Sequence, residues 1–109
     1  MNLMSSELKV NVKFLSHQNG GRKVLPEDLL SSGMYRPHFV VIDKKNSEEY
    51  LGVAFISQSK KLIAEEEVIA TAIKMYENVD YTELTIGTTF TIREGSAIIG
   101  YGTVISSGT

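Results

Sequence analysis

The sequence predicts an all-β fold, because short apolar alternations and turn residues follow one another along most of the chain. Segments that alternate apolar with polar residues are typical of strands with one buried face. Turns containing glycine, asparagine or proline separate them at short intervals. Many short strands divided by such turns favour a closed sheet or a sandwich. The chain has 109 residues, enough for one domain, and 42% of them are hydrophobic, as in an ordinary globular protein.

Three strands are predicted in the first half of the chain, with one helical turn between the first two. Leu8–Leu15 alternates as a half-buried strand does. The turn His17–Gly21 follows, because its Asn-Gly and Gly-Gly pairs tolerate positive φ. Pro26 and the two acidic residues after it predict a single helical turn. The next two strands are His38–Asp43 and Glu49–Ser57, which are rich in β-branched and aromatic residues.

The segment Leu62–Tyr76 fits two kinds of secondary structure. Apolar residues at helical spacing, together with good helix formers around Glu65–Glu67, favour a helix. The β-branched part, Val68–Met75, alternates as a strand does. Periodicity alone leaves both interpretations open.

The last third of the chain is predicted to be β-like from Glu77 to the end, with Tyr81, Leu84 and Ile86 before Gly87. Thr88–Arg93 and Ala97–Ile105 read as two strands joined by a tight turn at Glu94–Ser96. Two glycines lie inside the last strand, and they indicate a bend or the close approach of another backbone.

Composition excludes several classes of protein. The chain has no cysteine, which excludes disulfides, thiolate zinc sites and a cysteine nucleophile. No apolar run approaches the ~18 residues of a membrane span, and the first residues lack the layout of a signal peptide. We therefore expect a cytoplasmic domain over residues 7–105, with flexible tails at 1–6 and 106–109. The net charge of −2 gives no strongly basic footprint for nucleic acid, although it leaves room for a local patch.

Motifs for catalysis and for cofactor binding are missing. No G-x-x-x-x-G-K-[ST] loop is present, so no nucleoside triphosphate is expected to bind. His17 and His38 lack companions at metal-ligand spacing, and no nucleophile elbow favours a hydrolase. The run Glu65–Glu67 is predicted to be a solvated charged surface rather than a cation site. We expect a protein that is not an enzyme and uses no cofactor or metal.

Basic residues beside the predicted turns are the remaining candidates for binding. They are Arg22, Lys23, Arg36, Lys44, Lys45 and Arg93. Arg22 follows Gly20-Gly21 and Arg93 precedes Glu94-Gly95, so both are placed to donate to phosphate oxygens. The plainer interpretation is surface charge that pairs with neighbouring acids.

Two glycine-punctuated stretches near the ends of the chain carry recognisable motifs. Leu15–Lys23 contains a Gly-Gly-Arg turn, and Gly33–Phe39 follows it with Tyr-Arg-Pro. Phe90–Val104 contains F-x-I-R-E-G and a later G-x-G-x-V. In this order the two stretches resemble the beginning and the end of the C-terminal β-barrel domain of bacterial elongation factor Tu. The resemblance covers about residues 8–105 and is weakest in the middle.

This resemblance implies a closed antiparallel barrel of about six strands with Greek-key connections, and a strand over much of Val68–Met75. In the family, the barrel contacts the T-stem of aminoacyl-tRNA, the GTPase domain and the exchange factor. The family's motifs would place RNA or partner contacts at Arg22, Lys23, His38, Arg93, Glu94 and Gly95. Lys23 and His38 match by position only, and the other four match by identity.

The chain also departs from the family. These 109 residues contain neither the GTPase domain nor the middle barrel. The family's P-G-D and I-H-P segments are replaced in Ala64–Glu67 and Met75–Tyr81, and Gly95-Ser96-Ala97 stands where the family has Gly-Gly-Arg. Each phosphate contact that is lost lowers the affinity for RNA.

The shared signature is therefore better explained by structure, with Arg36 or Arg93 expected to brace the barrel through Glu94 or Asp43. The predicted function is a non-catalytic binding module for a protein partner, for which a translation component is one candidate. The alternative is a weak tRNA- or RNA-binding protein. No membrane contact is expected.

Overall fold

A computed structural model describes residues 6–42 and 49–107, and its backbone consists mainly of strands and turns. The strands are β1 (Glu7–Phe14), β2 (His38–Val41), β3 (Leu51–Gln58), β4 (Glu67–Lys74), β5 (Thr89–Glu94) and β6 (Ala97–Ser106). Two 3-10 turns, His17–Asn19 and Leu29–Ser31, lie between β1 and β2. The predicted all-β fold class is confirmed. Asp43, Lys44, Lys45 and residues 1–5 and 108–109 of the predicted tails lie outside the described residues.

The six strands close into an antiparallel barrel in the order β1-β4-β3-β2-β5-β6. β2, β3 and β4 are consecutive in the sequence and adjacent in the sheet. A long connection joins β1 to β2, and β1 pairs with β4. This is a Greek-key arrangement. Register shifts interrupt three of the strand pairs, at Lys9/Val10, Phe55/Ser57 and Ile92/Arg93. Such bulges bend strands, as closure of a small barrel requires.

The core fills the inside of the barrel with one face of each long strand. In β1 the buried residues are Leu8, Val10, Val12 and Phe14. Aromatic rings pack against one another in this core, and Phe39 stacks on Phe90 with ring centroids 4.0 Å apart. Within the described ranges, no helix combines the length and apolar character needed to cross a bilayer.

The ambiguous segment is a strand for most of its length. β4 pairs with β1 on one side and β3 on the other, and its Ala70 and Ala72 are buried. These two ladders stabilise the extended backbone, so the tertiary context overrides the local preference for a helix. Leu62 remains in the core, and the residues that follow it turn sharply at Glu65, which has a φ of +68°.

The β-like prediction for the stretch after Glu77 is wrong as far as Thr88. Residues 75–88 form a succession of turns rather than a strand. Tyr81 and Leu84 nevertheless belong to the core cluster. Tyr81 and Leu84 are three residues apart, and a strand would place them on opposite faces. Their shared burial therefore fits a chain that folds over the rim of the barrel.

The glycines of β6 make room for close packing, as the sequence indicated. A Cβ at Gly102 would lie 2.5 Å from Cζ of Phe90, and one at Gly100 would lie 2.8 Å from the Lys13 carbonyl oxygen. Both distances are far below a van der Waals contact, so only glycine fits without movement of a neighbour.

The contact between Gly102 and Phe90 yields a stability prediction. Gly102→Ala should lower the free energy of unfolding by about 1–3 kcal/mol, because the added methyl group overpacks the core. Urea unfolding measures this change. Phe90→Leu removes the end of the ring, so the double variant Gly102→Ala/Phe90→Leu should lose less stability than the sum of the single variants. Strictly additive losses would contradict the close contact.

Candidate functional site

One cluster of polar side chains closes the aromatic core at the end of β5. The hydroxyl of Tyr35 donates a hydrogen bond to Oε2 of Glu94 at 2.6 Å. Nε of Arg22 lies 3.4 Å from the same oxygen, and the guanidinium carbon lies 5.3 Å from the centroid of the Tyr35 ring. We call these three residues the Tyr35 cluster. It joins the Gly-Gly-Arg turn to the Arg-Glu-Gly turn.

The core sets the position of this cluster. The ring of Tyr35 stacks on Phe55 with centroids 6.0 Å apart and lies 6.1 Å from Phe14. Backbone hydrogen bonds from Phe55 to Tyr35 and from Val53 to Pro37 extend the β2–β3 pairing past the start of β2. Glu94 is the last residue of β5 and follows Ile92 at the alternate position, which brings its carboxylate to the rim.

The electrostatics of the Tyr35 cluster indicate a structural role. Burial, followed by the neighbouring Glu94 carboxylate, raises the pKa of Tyr35, so its hydroxyl stays protonated and keeps donating. Nη1 of Arg22 is buried and meets no hydrogen-bond acceptor in the described part of the chain. The guanidinium of Arg22 contacts a carboxylate through Nε and an aromatic ring through its face.

A second group surrounds Arg93 on the outer face of the barrel. Nε of Arg93 donates to Oγ1 of Thr91 at 3.0 Å, and Nη1 donates to the hydroxyl of Tyr50 at 3.2 Å. The guanidinium carbon lies 5.6 Å from the Tyr50 ring centroid. His38 pairs with Arg93 across β2 and β5, and its ring meets the Tyr50 ring edge-on at 5.7 Å.

Two further tyrosines extend this group along the same outer face. Tyr76 packs on Gly52, where a Cβ would lie 2.5 Å from its ring, and Gly52 pairs with His38. Tyr101 pairs with Thr91 across β5 and β6. We call the whole set the tyrosine face, and its members are His38, Tyr50, Tyr76, Arg93 and Tyr101. A shallow groove of about 280 Å³ runs beside Tyr101 over Gly102.

The structure places the six predicted site residues in different surroundings. Arg22 and Glu94 lie in the Tyr35 cluster, whereas His38 and Arg93 lie on the tyrosine face. Lys23 is exposed, and Gly95 has a φ of +60° in the β5–β6 turn, a conformation that favours glycine. The ion pair of Glu94 is with Arg22, which was not the expected brace.

The tyrosines of the outer face were missed because the sequence does not bring them together. Tyr50 and Tyr101 belong to different predicted strands, and Tyr76 lies in the ambiguous segment. Strand alternation is the one signal that places Tyr101 on the outer face. Tyr101 lies between Gly100 and Gly102, which are buried, so its own side chain faces outward.

The described side chains show no metal centre. No three of the described His, Asp and Glu residues converge as metal ligands would. Glu65–Glu67 is exposed, as the sequence predicted, and two of its carboxylates also accept hydrogen bonds: Asn19 donates to Glu65 at 2.9 Å and Asn11 donates to Glu67 at 3.1 Å. An open cleft of about 620 Å³ beside the 75–82 turns is lined by Tyr76, Val79 and Tyr81, among others.

Comparison with known proteins adds no assignment, since no protein-family model and no curated protein matches this chain.

The hydrogen bond of Tyr35 can be tested by removing one atom. Tyr35→Phe should lower the free energy of unfolding by about 1–3 kcal/mol, because the Glu94 carboxylate loses a charge-assisted donor. The control is Tyr101→Phe, which removes a hydroxyl from an exposed ring and should change stability little. Equal urea midpoints for the wild type and Tyr35→Phe would rule out the bond.

The raised pKa of Tyr35 yields a prediction at alkaline pH. The unfolded chain releases the Tyr35 proton near the ordinary tyrosine pKa, whereas the folded chain retains it. The stabilisation is therefore complete below the ordinary pKa and declines as the pH rises above it. Stability should fall less steeply with rising pH in Tyr35→Phe than in the wild type. Ultraviolet titration should show that the phenolate removed by this variant appears above the ordinary tyrosine range.

Proposed function

We propose that this protein is a non-catalytic binding module that docks a protein partner on the tyrosine face. The observation that carries the proposal is that three exposed tyrosines lie on the same outer face as Arg93, with Tyr50 in direct contact with its guanidinium. Their side chains remain 40% exposed at Tyr50, 43% at Tyr101 and 52% at Tyr76. Tyrosine and arginine are the residue types most enriched where interfaces concentrate their binding energy.

The tyrosine face is also prearranged for binding. Thr91 donates to the Val40 carbonyl and accepts from Arg93, so the guanidinium is fixed to a strand of the barrel. His38 and Arg93 both contact the Tyr50 ring. Side chains that are already ordered lose less conformational entropy when a partner binds, so more of the contact energy contributes to affinity.

The distribution of charge favours a protein over RNA as the partner. The resemblance to elongation factor Tu implies RNA contacts at Arg22, Lys23, His38, Arg93, Glu94 and Gly95. Arg22, however, shares the carboxylate of Glu94, and the net charge of the chain is −2. RNA affinity rises with the number of cations that face phosphates, and Arg93 is the one Lys or Arg among the five residues that define the tyrosine face.

A relation to the barrel of elongation factor Tu is part of this proposal. The closed six-strand Greek-key barrel is compatible with it, and the motifs at the two ends of the chain support it. On this basis the partner is a cytoplasmic protein, and components of the translation apparatus are the first candidates. The proposed binding needs no nucleotide, cofactor or membrane.

Affinity capture with a double variant tests the proposal. Wild-type protein is immobilised and exposed to nuclease-treated extract of its source organism, and each retained protein is then purified and titrated. Tyr50→Ala/Arg93→Ala should weaken the partner's binding by roughly tenfold to a hundredfold, because it removes two anchors. Met34→Ala is the matched control, since Met34 is a large apolar side chain that is 83% exposed and lies outside the tyrosine face.

Three results would count against a protein partner on this face. The first is equal affinity of the double variant and the wild type, with both folded by circular dichroism. The second is a protein that is captured from untreated extract but not from nuclease-treated extract. The third is binding of bulk tRNA that falls steeply with salt and depends on Arg93, which would indicate the RNA alternative.

A further inference from the structure

The loop after β1 is held closed by one carboxylate of a distant turn. Oε2 of Glu65 accepts a hydrogen bond from the backbone N–H of Ser16 at 2.7 Å and one from Nδ2 of Asn19 at 2.9 Å. The backbone N–H of Glu65 donates to the Phe14 carbonyl at 2.7 Å. Glu65 therefore joins the β3–β4 connection to both ends of the segment 14–19.

Glu65 occupies a backbone conformation that glutamate disfavours. Its φ of +68° lies in the left-handed region, where glycine and asparagine are the usual residues. Such a residue persists when its surroundings hold it in place. The two hydrogen bonds from Asn19 and Ser16 lower the pKa of Glu65, so the carboxylate is ionised at neutral pH.

Asn19 and Gly20 form an Asn-Gly sequence, in which the asparagine side chain can cyclise with the following backbone nitrogen. The backbone nitrogen of Gly20 can attack Cγ of Asn19, which forms a succinimide and releases the side-chain amide as ammonia. Water then opens the ring to aspartate or isoaspartate, so no oxidant or reductant is needed. Glycine favours this step because it has no side chain to hinder ring closure.

Both reacting groups are restrained in the folded protein. The Gly20 N–H donates to the His17 carbonyl at 3.1 Å, and the Asn19 amide is bonded to Glu65. Attack requires that the amide leave Glu65 and turn toward its own backbone.

We propose that Asn19 is a deamidation site whose rate is set by Glu65, and that deamidation opens the loop between β1 and Arg22. The product carries a carboxylate where the amide donated to Glu65. Two carboxylates cannot replace the donor–acceptor bond, and their like charges repel. The loop 16–21 then loses the side-chain bond of Asn19 to the β3–β4 connection, and the bond from the Ser16 N–H is left to hold it against the repulsion.

Rates of deamidation test the first half of the proposal. Purified variants are incubated at neutral to mildly alkaline pH, and peptide mass spectrometry with isoaspartate detection follows residue 19. Glu65→Ala should deamidate about tenfold faster than the wild type, because the amide loses its acceptor. Glu65→Gln keeps an acceptor oxygen and should stay near the wild-type rate. Glu66→Ala removes the same charge from the same turn and serves as the control.

The full-length chain unfolded in urea gives the unprotected rate. The proposal is overturned if the folded wild type already deamidates at that rate, or if Glu65→Ala is no faster than Glu66→Ala.

Hydrogen exchange tests the second half. Asn19→Asp reproduces the charge of the product, and it should accelerate amide exchange at Ser16 and Gly21, since the Gly21 N–H bonds to the Ser16 carbonyl within the same loop. Adding Glu65→Gln exchanges donor and acceptor between the two positions and should restore protection. Unchanged exchange in Asn19→Asp, or no recovery in the double variant, would show that the pair does not hold the loop.

Discussion

Closure of the barrel depends on β1, because both of its edges are hydrogen-bonded to strands that lie far along the chain. Val10 pairs with Ala70 of β4 on one side and with Val104 of β6 on the other. The strict alternation of β1 gives it one apolar face for the interior and one polar face for the surface. The register of β1 holds β4 and β6 as strands, and β6 in turn pairs with β5, so that Arg93 and Tyr101 lie on neighbouring strands.

Two neighbouring residues at the end of β5 take part in different contacts, one at the rim of the core and one on the outer face. Glu94 joins the Tyr35 cluster, where it accepts the hydrogen bond of a tyrosine whose ring is buried in the core. Arg93 turns to the outer face and contacts the Tyr50 ring. The Arg-Glu dipeptide therefore contributes one residue to the stability of the fold and one to a surface that can meet a partner.

Local sequence patterns predicted more of the fold than of the candidate site. The alternation of β1 and the turn signals at Gly20 and Gly95 are properties of neighbouring residues, and they were sufficient for the fold class. The state of β4 needed its two partner strands, since its own residues suit a helix equally well. The turns of 75–88 were missed because Tyr81 and Leu84 are apolar but are buried by folding over the rim. The tyrosine face was missed because its members meet only through cross-strand register, which single-sequence periodicity does not contain.

The glycines of the two motifs that resemble elongation factor Tu have structural roles in this barrel. Gly20 has a φ of +100° and Gly95 one of +60°, while a Cβ at Gly21 would lie 1.9 Å from the Leu15 carbonyl oxygen. The glycines of both motifs are therefore required by the backbone. The Arg22 of one motif pairs with the Glu94 of the other, so the motifs form one structural unit. A binding function has to be carried by residues that the fold leaves available, and within the motif stretches His38, Arg93 and Tyr101 contribute to the tyrosine face.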